Sequence, residues 1–247
     1  MNKAVKTLRD ILVIGWLNGW VPLVRSWVWL VANAVTPLSL LVVLAIYAGP
    51  LGIKWGLVGG LIWTIASNGI SLIGDATFYR LEIKFQQMLV AAPVSPVAYA
   101  LGLALSSFIF AAPTLVFYAA YLAYLGVFTA VGVLEAAAAL LLLWLATAGV
   151  GFAVSTLINQ MRYAWAVPGI LSAVLSTMAP VYWPATVLPS QWLGVVLPTG
   201  EAGVIIQTAL GLARYGEGLL AAAWALLAAY AAVALALLAK VARWRQV

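Results

Sequence analysis

The sequence predicts an all-α membrane protein with six transmembrane helices. To these it adds an N-terminal amphipathic interfacial helix, a cytoplasmic amphipathic helix between spans two and three, and a broken or re-entrant segment before the last span. Three observations predict this class. The 247 residues are 66% hydrophobic and 7% charged, against roughly 45–50% apolar and about 25% charged in soluble domains. Apolar runs such as Ala136 to Leu145 are continuous, whereas transmembrane β-strands alternate over ~10 residues. The basic residues gather at the ends of those runs, where orientation and anionic lipid account for a net charge of +6 better than nucleic acid does.

Residues 1–22 read as a helix lying on the membrane. Asn2, Lys3, Lys6, Arg9 and Asp10 fall on one side, and Val5, Leu8, Leu12 and Trp16 on the other. A secretory signal is the rival, but no small-residue cleavage site follows a compact apolar core. Asn18, Gly19 and Pro22 are expected to break this helix. The spans are 26–47, 55–74, 97–121, 134–157, 163–181 and 218–239, each near the ~20 residues a crossing needs. Pro37 is expected to bend the first, and Gly49, Pro50 and Gly52 to turn into the second. Gly59, Gly60, Ser67, Asn68, Gly69 and Ser71 suit close helix packing, with lining a path as the lesser alternative. Residues 182–217 hold apolar pieces too short to cross, cut by prolines and glycines; they read as re-entrant or as a surface cap on the extracytoplasmic side.

Six spans put both termini on one side. Lys3, Lys6, Arg9, Arg25, Arg80, Lys84, Arg162, Lys240, Arg243 and Arg245 then share that side, and Lys54 and Arg214 the other. The positive-inside rule makes the first side cytoplasmic, in a multi-pass protein of the cell membrane.

The most polar internal stretch is Asp75 to Pro96. As a helix it puts Phe78, Leu81, Phe85, Met88 and Leu89 on one face, with Arg80, Glu82, Lys84, Gln86 and Gln87 around the rest. It reads either as a docking piece for a soluble partner or as an interfacial helix in the headgroups. Asp75 is expected to pair with Arg80 or Arg162.

Absent residue types bound the chemistry. Without Cys or His there are no disulfides, thiol nucleophiles, Cys/His metal sites or histidine acid–base pairs. No G-x-x-x-x-G-K-[ST] loop, G-x-S-x-G or H-E-x-x-H occurs. The chain is therefore not expected to be an enzyme by itself, and no catalytic, metal or substrate residue is assigned.

Two stretches carry a family resemblance. Met88-Leu89-Val90-Ala91-Ala92-Pro93-Val94-Ser95, with Tyr99 and Gly102 following, is one. The other is Tyr182-Trp183-Pro184, Leu188-Pro189, Trp192-Leu193 and Leu197-Pro198-Thr199. With the helix layout, they make the chain resemble the membrane subunit of an ABC-2 type ABC transporter. The Gly-Thr pair common in the first passage is missing, and the Arg often found after the second is not at its expected place.

The resemblance implies a permease that pairs with a second copy of itself or a related permease, and exports amphipathic or lipid-like substrates. Separate ABC-type ATP-binding subunits would carry ATP and Mg, with no cofactor on this chain. Residues 76–92 would be the coupling helix, with Arg80, Glu82, Lys84, Phe85, Gln86 and Met88 meeting the ATPase. Leu89, Pro93, Pro184, Pro189, Trp192 and Pro198 are the family-pattern positions. A secondary transporter or channel without an ATPase is the first rival reading, and a membrane scaffold the second.

Overall fold

The computed structural model describes residues 3–85, Met88, Ala92 and 94–241. Among them every regular element is helical: α1 (Lys3–Gly15), a π-helical turn (Trp16–Trp20), α2 (Val21–Arg25), α3 (Trp27–Leu81), α4 (Pro96–Tyr124), α5 (Ala130–Ser155), α6 (Met161–Thr177), two 3₁₀ turns (Ala185–Val187 and Gln191–Val195), α7 (Pro198–Ala209) and α8 (Glu217–Val241). Four helices are long and apolar enough to cross a membrane: Val31–Leu81, Pro96–Tyr124, Ala130–Ser155 and Glu217–Lys240. The chain thus has the character of a membrane protein.

The first of these runs for 51 residues; straight, it would reach ~77 Å, more than twice the ~30 Å of bilayer hydrocarbon. It folds back instead. Gly49 takes φ 56° and ψ −141°, a conformation open to glycine because it has no Cβ. Leu44 lies against Gly52 and Leu41 against Gly56, contacts that one straight helix forbids. The two expected spans are therefore arms of a hairpin, 27–48 and 50–81, joined at a single residue rather than a loop. Pro50 fits because a first helical turn has no N–H to lose there.

The second arm is the centre of the bundle. Leu57, Val58, Ile62, Ile65, Leu72 and Ile73 are all buried, so this arm turns apolar side chains toward protein on several sides. α4, α5, α6 and α7 pack around it. Glycines set how closely they come. A Cβ on Gly151 of α5 would lie 2.4 Å from the Gly69 carbonyl oxygen, and one on Gly69 would lie 2.2 Å from Thr147 Oγ1. Tyr182 covers Gly59 and Tyr118 covers Gly60. Apolar burial drives little association in lipid, so close backbone approach and hydrogen bonding hold such bundles.

Elsewhere the elements depart from expectation in physically readable ways. Asn18, Gly19 and Pro22 do not end the N-terminal helix. The chain widens into the π-helical turn, Asn18 Nδ2 donates to the Ile14 carbonyl at 2.9 Å, and Pro22 sits in the first turn of α2. The break falls at Ser26, which is extended. Val5, Leu8, Leu12 and Trp16 are exposed, while Ile14 and Leu105 close over Gly102 and Gly15 to fix α1 on α4. The expected fifth span, 163–181, is the 17-residue α6; it ends at Thr177, three residues before Pro180, and is not among the long helices. The helix expected over 76–92 does not start as a separate piece: its first six residues complete α3, which stops at Leu81.

Residues 178–216 form a tied cap. Gln207 Nε2 donates to the carbonyls of Pro180 and Trp183 at 2.9 and 3.3 Å. The Tyr215 hydroxyl donates to Gln207 Oε1 at 2.6 Å and accepts from the Ala185 N–H at 2.9 Å. Thr199 Oγ1 donates to the Leu175 carbonyl at the end of α6, 2.6 Å away. Pro184 and Pro189 border the first 3₁₀ turn, Trp192 is exposed on the second, and Pro198 opens α7. Glu201 of α7 is fully buried, and its carboxylate oxygens have no hydrogen-bond partner among the described residues. That burial pushes Glu201 up to about 8 from its ordinary 4.5.

Two predictions follow from this packing. Gly151→Val forces side-chain atoms onto the Gly69 backbone and should cost about 1–3 kcal/mol. Gly169→Ala, where a Cβ meets nothing within 4 Å, should be neutral or slightly stabilising. Thermal unfolding of purified variants checks both, and equal melting of G151V and the native chain would contradict the close crossing. For Glu201, the unfolded chain loses its proton near 4.5 while the folded chain holds it to about 8. Stability contributed at this site is therefore lost as pH rises through that window. Glu201→Gln should melt higher than the native chain at pH 8, by a margin that shrinks toward pH 4.5.

Candidate functional site

Two features meet at the Leu81 end of α3. One is the chain reversal that carries the residues expected to dock a partner. The other is a polar cavity just before it.

At the reversal α3 stops because Lys84 enters the left-handed region, φ 55°, where a non-glycine residue is uncommon. Beyond it, Met88 N donates to the Lys84 carbonyl at 3.3 Å. Ser95 then caps α4, its hydroxyl accepting from Ala98 N at 3.1 Å, and Pro96 takes the first helical position. Glu82, Ile83, Lys84 and Met88 are exposed. Phe85 turns inward, stacking between Tyr79 and Tyr99 at 5.9 and 6.2 Å, and Tyr99 meets Phe152 of α5 edge-on at 6.1 Å. Gln86, Leu89 and Pro93, also singled out from sequence, lie outside the described residues.

Arg80 is placed differently from expectation. Its guanidinium caps the end of α5: Nη1 donates to the Thr156 carbonyl and Nη2 to the Ser155 carbonyl, each at 3.0 Å, and Nη2 also donates to the Ile158 carbonyl. A helix C-terminus leaves carbonyls unpaired and carries partial negative charge, so an arginine there satisfies both at once. The expected pairing of Asp75 with Arg80 or Arg162 is not formed. Arg80 faces carbonyls, Arg162 Nε donates to Gln160 Oε1 at 2.9 Å, and the ion pair among the described residues joins Arg9 to Asp10.

Asp75 instead faces a cavity of about 320 Å³, lined from the N-terminal segment by Asn18 and Pro22, from the first arm by Asn33, and from the second arm by Asn68, Ser71, Asp75, Phe78 and Tyr79. Ser106, Ser107 and Phe110 of α4 and Trp165 of α6 complete it. The volume lies at the small end of small-molecule sites, about 300–1,000 Å³, and far exceeds the ~30 Å³ of one water. The hydroxyl protons are already used: Ser71 donates to Asn68 O at 2.8 Å, Ser106 to Leu103 O at 2.6 Å and Ser107 to Ala104 O at 2.8 Å. Trp144 Nε1 donates to the Ser107 oxygen from behind at 3.2 Å. Asn68 Nδ2 donates to Thr64 O at 2.9 Å.

The sequence reading divided the second span's small and polar residues between packing and path. The structure divides them by type. Gly60 and Gly69 pack against neighbouring helices and Gly59 against Tyr182 of the cap, while Asn68 and Ser71 line the cavity. The missed signal was available: 68, 71, 75 and 78 repeat at helical spacing on one face. The partners from the π-helical turn, α2, the first arm, α4 and α6 come together only through the tertiary fold. No group of three or more acids that could hold a metal occurs among the described residues.

Comparison with family models, with curated proteins and with solved structures finds no match for this chain.

The Arg80 cap carries the prediction of this section. Arg80→Leu leaves the carbonyls of Thr156 and Ile158 without their side-chain donor, while Ser155 O keeps Thr77 Oγ1 at 3.3 Å; an unpaired buried acceptor costs about 1–3 kcal/mol. Hydrogen exchange at the α5–α6 turn should accelerate in the variant and remain native in α8. Unchanged exchange at that turn would mean the three contacts contribute nothing.

Proposed function

We propose that this chain is the membrane-spanning subunit of an ATP-driven exporter of the ABC-2 class. It would move an amphipathic or lipid-like substrate by alternating access, paired with a second permease copy and coupled to separate ATP-binding subunits. Six crossings follow if the two α3 arms count separately and α6 completes its passage with residues 178–181. α6 alone reaches ~26 Å, close to the ~30 Å required. Residues 182–217 then dip into the outer leaflet as a re-entrant segment, and both termini are cytoplasmic.

One observation carries the reading. The exposed patch of Glu82, Ile83, Lys84 and Met88 sits at the junction of α3 and α4, and the second arm of α3 is buried along most of its length. A force applied to that patch reaches the centre directly, because a tightly packed interior transmits displacement. Arg80 belongs to the lever rather than to the contact, since its guanidinium is committed to α5. The ATPase contact is therefore assigned to Glu82, Lys84 and Met88, with Phe85 as the internal stop.

Truncating one member of a buried interfacial charge pair costs about 2–5 kcal/mol. Glu82→Arg and Lys84→Glu should each lower substrate-stimulated ATPase activity several-fold in the reconstituted complex, while membrane insertion stays native. Full stimulated activity in both variants would defeat the docking role.

A further inference from the structure

We propose that the Asp75 cavity is a binding site for an organic cation, an amine or quaternary ammonium group carrying an apolar body. Ligand binding in this cavity is independent of whether an ATPase drives the chain.

The wall has a definite electrostatic sense. Asp75 is the one acid among the lining residues, and neither Lys nor Arg is among them. Among the described residues it forms no ion pair. The serine hydroxyls around it have given their protons to carbonyls of their own helices, so what they present inward is oxygen lone pairs. A carboxylate with acceptor neighbours selects a ligand bearing positive charge and donors, and disfavours anions.

Four aromatic side chains share the wall, Phe78, Tyr79, Phe110 and Trp165, beside Pro22 and the amides of Asn18, Asn33 and Asn68. Ring faces attract cations, more strongly where water is excluded, and cages of this kind hold ammonium groups. An acid inside an apolar bundle is costly unless it meets a counter-ion, and Arg80, the nearest cation along α3, is turned away to cap α5. A cationic ligand would supply the positive charge that no side chain lining the cavity supplies. A volume of about 320 Å³ admits a head group with one ring.

The probe is phenyltrimethylammonium, with tert-butylbenzene as its uncharged isostere, tested on the purified full chain in nanodiscs without nucleotide or ATPase. Saturable binding of the labelled cation is expected, with no competition from the isostere at equal concentration. Asp75→Asn should weaken binding at least tenfold. Phe110→Leu, which keeps the carboxylate and the bulk, should weaken it several-fold. Glu135→Gln, an exposed acid outside the cavity, should bind as the native chain does. Equal competition by the isostere, or native affinity in Asp75→Asn, would reduce the cavity to an apolar space and overturn the proposal. Should Asp75→Asn fail to fold, native affinity in Phe110→Leu would overturn it equally. Because no ATPase is present, failure here leaves the exporter reading untouched, and failure of ATPase coupling leaves this one untouched.

Discussion

Everything else in this bundle depends on glycines of the second arm of α3 letting its neighbours approach closely. Gly69 and Gly151 bring two helices into backbone contact, while Gly59 and Gly60 accept the rings of Tyr182 and Tyr118. In a lipid solvent the apolar surface of a helix has no strong reason to leave its neighbours' methyl groups for one another. Glycine crossings supply that reason, through short-range contacts that only a close approach permits. The arm's two ends are then fixed by polar devices: the positive-φ turn at Gly49 and the Arg80 cap on α5.

Polar groups in this chain are few, and each has a task that composition alone would not assign. Arg80 resembles a surface cation in sequence, yet it completes a neighbouring helix. Gln207 and Tyr215 resemble loop residues, yet they tie residues 178–216 into one unit. Asp75 and Glu201 are both enclosed acids, with different surroundings. Glu201 is sealed without a hydrogen-bond partner among the described residues, so its neutral form suits the fold. Asp75 faces a space, so a ligand can reach it.

The helical class, the amphipathic start and the α4, α5 and α8 segments were legible in the sequence, because long apolar runs and basic ends are local signals. The hairpin at Gly49 was legible in part. Glycine and proline marked a turn, but the absence of a loop follows from Pro50 fitting a first helical turn, which a Gly-Pro-x-Gly string does not reveal. Asn18, Gly19 and Pro22 misled for the opposite reason: a helix can absorb them by widening, and Asn18 makes its bond within the helix. Arg80 could not be placed from sequence, since its acceptors are backbone carbonyls 75–78 residues away. The cavity was half visible: one stripe on α3 was readable, but the walls from the π-helical turn, α2, α4 and α6 needed the fold.

The account turns on whether an outside motor holds the exposed turn after α3. The chain has no cysteine, so a single Ile83→Cys gives one reporter thiol there. In inverted and right-side-out vesicles, a membrane-impermeant maleimide should label it from the cytoplasmic face only. A bound ATP-binding subunit should protect it. Labelling from the outer face, or labelling undiminished when the ATPase is bound, would contradict the account.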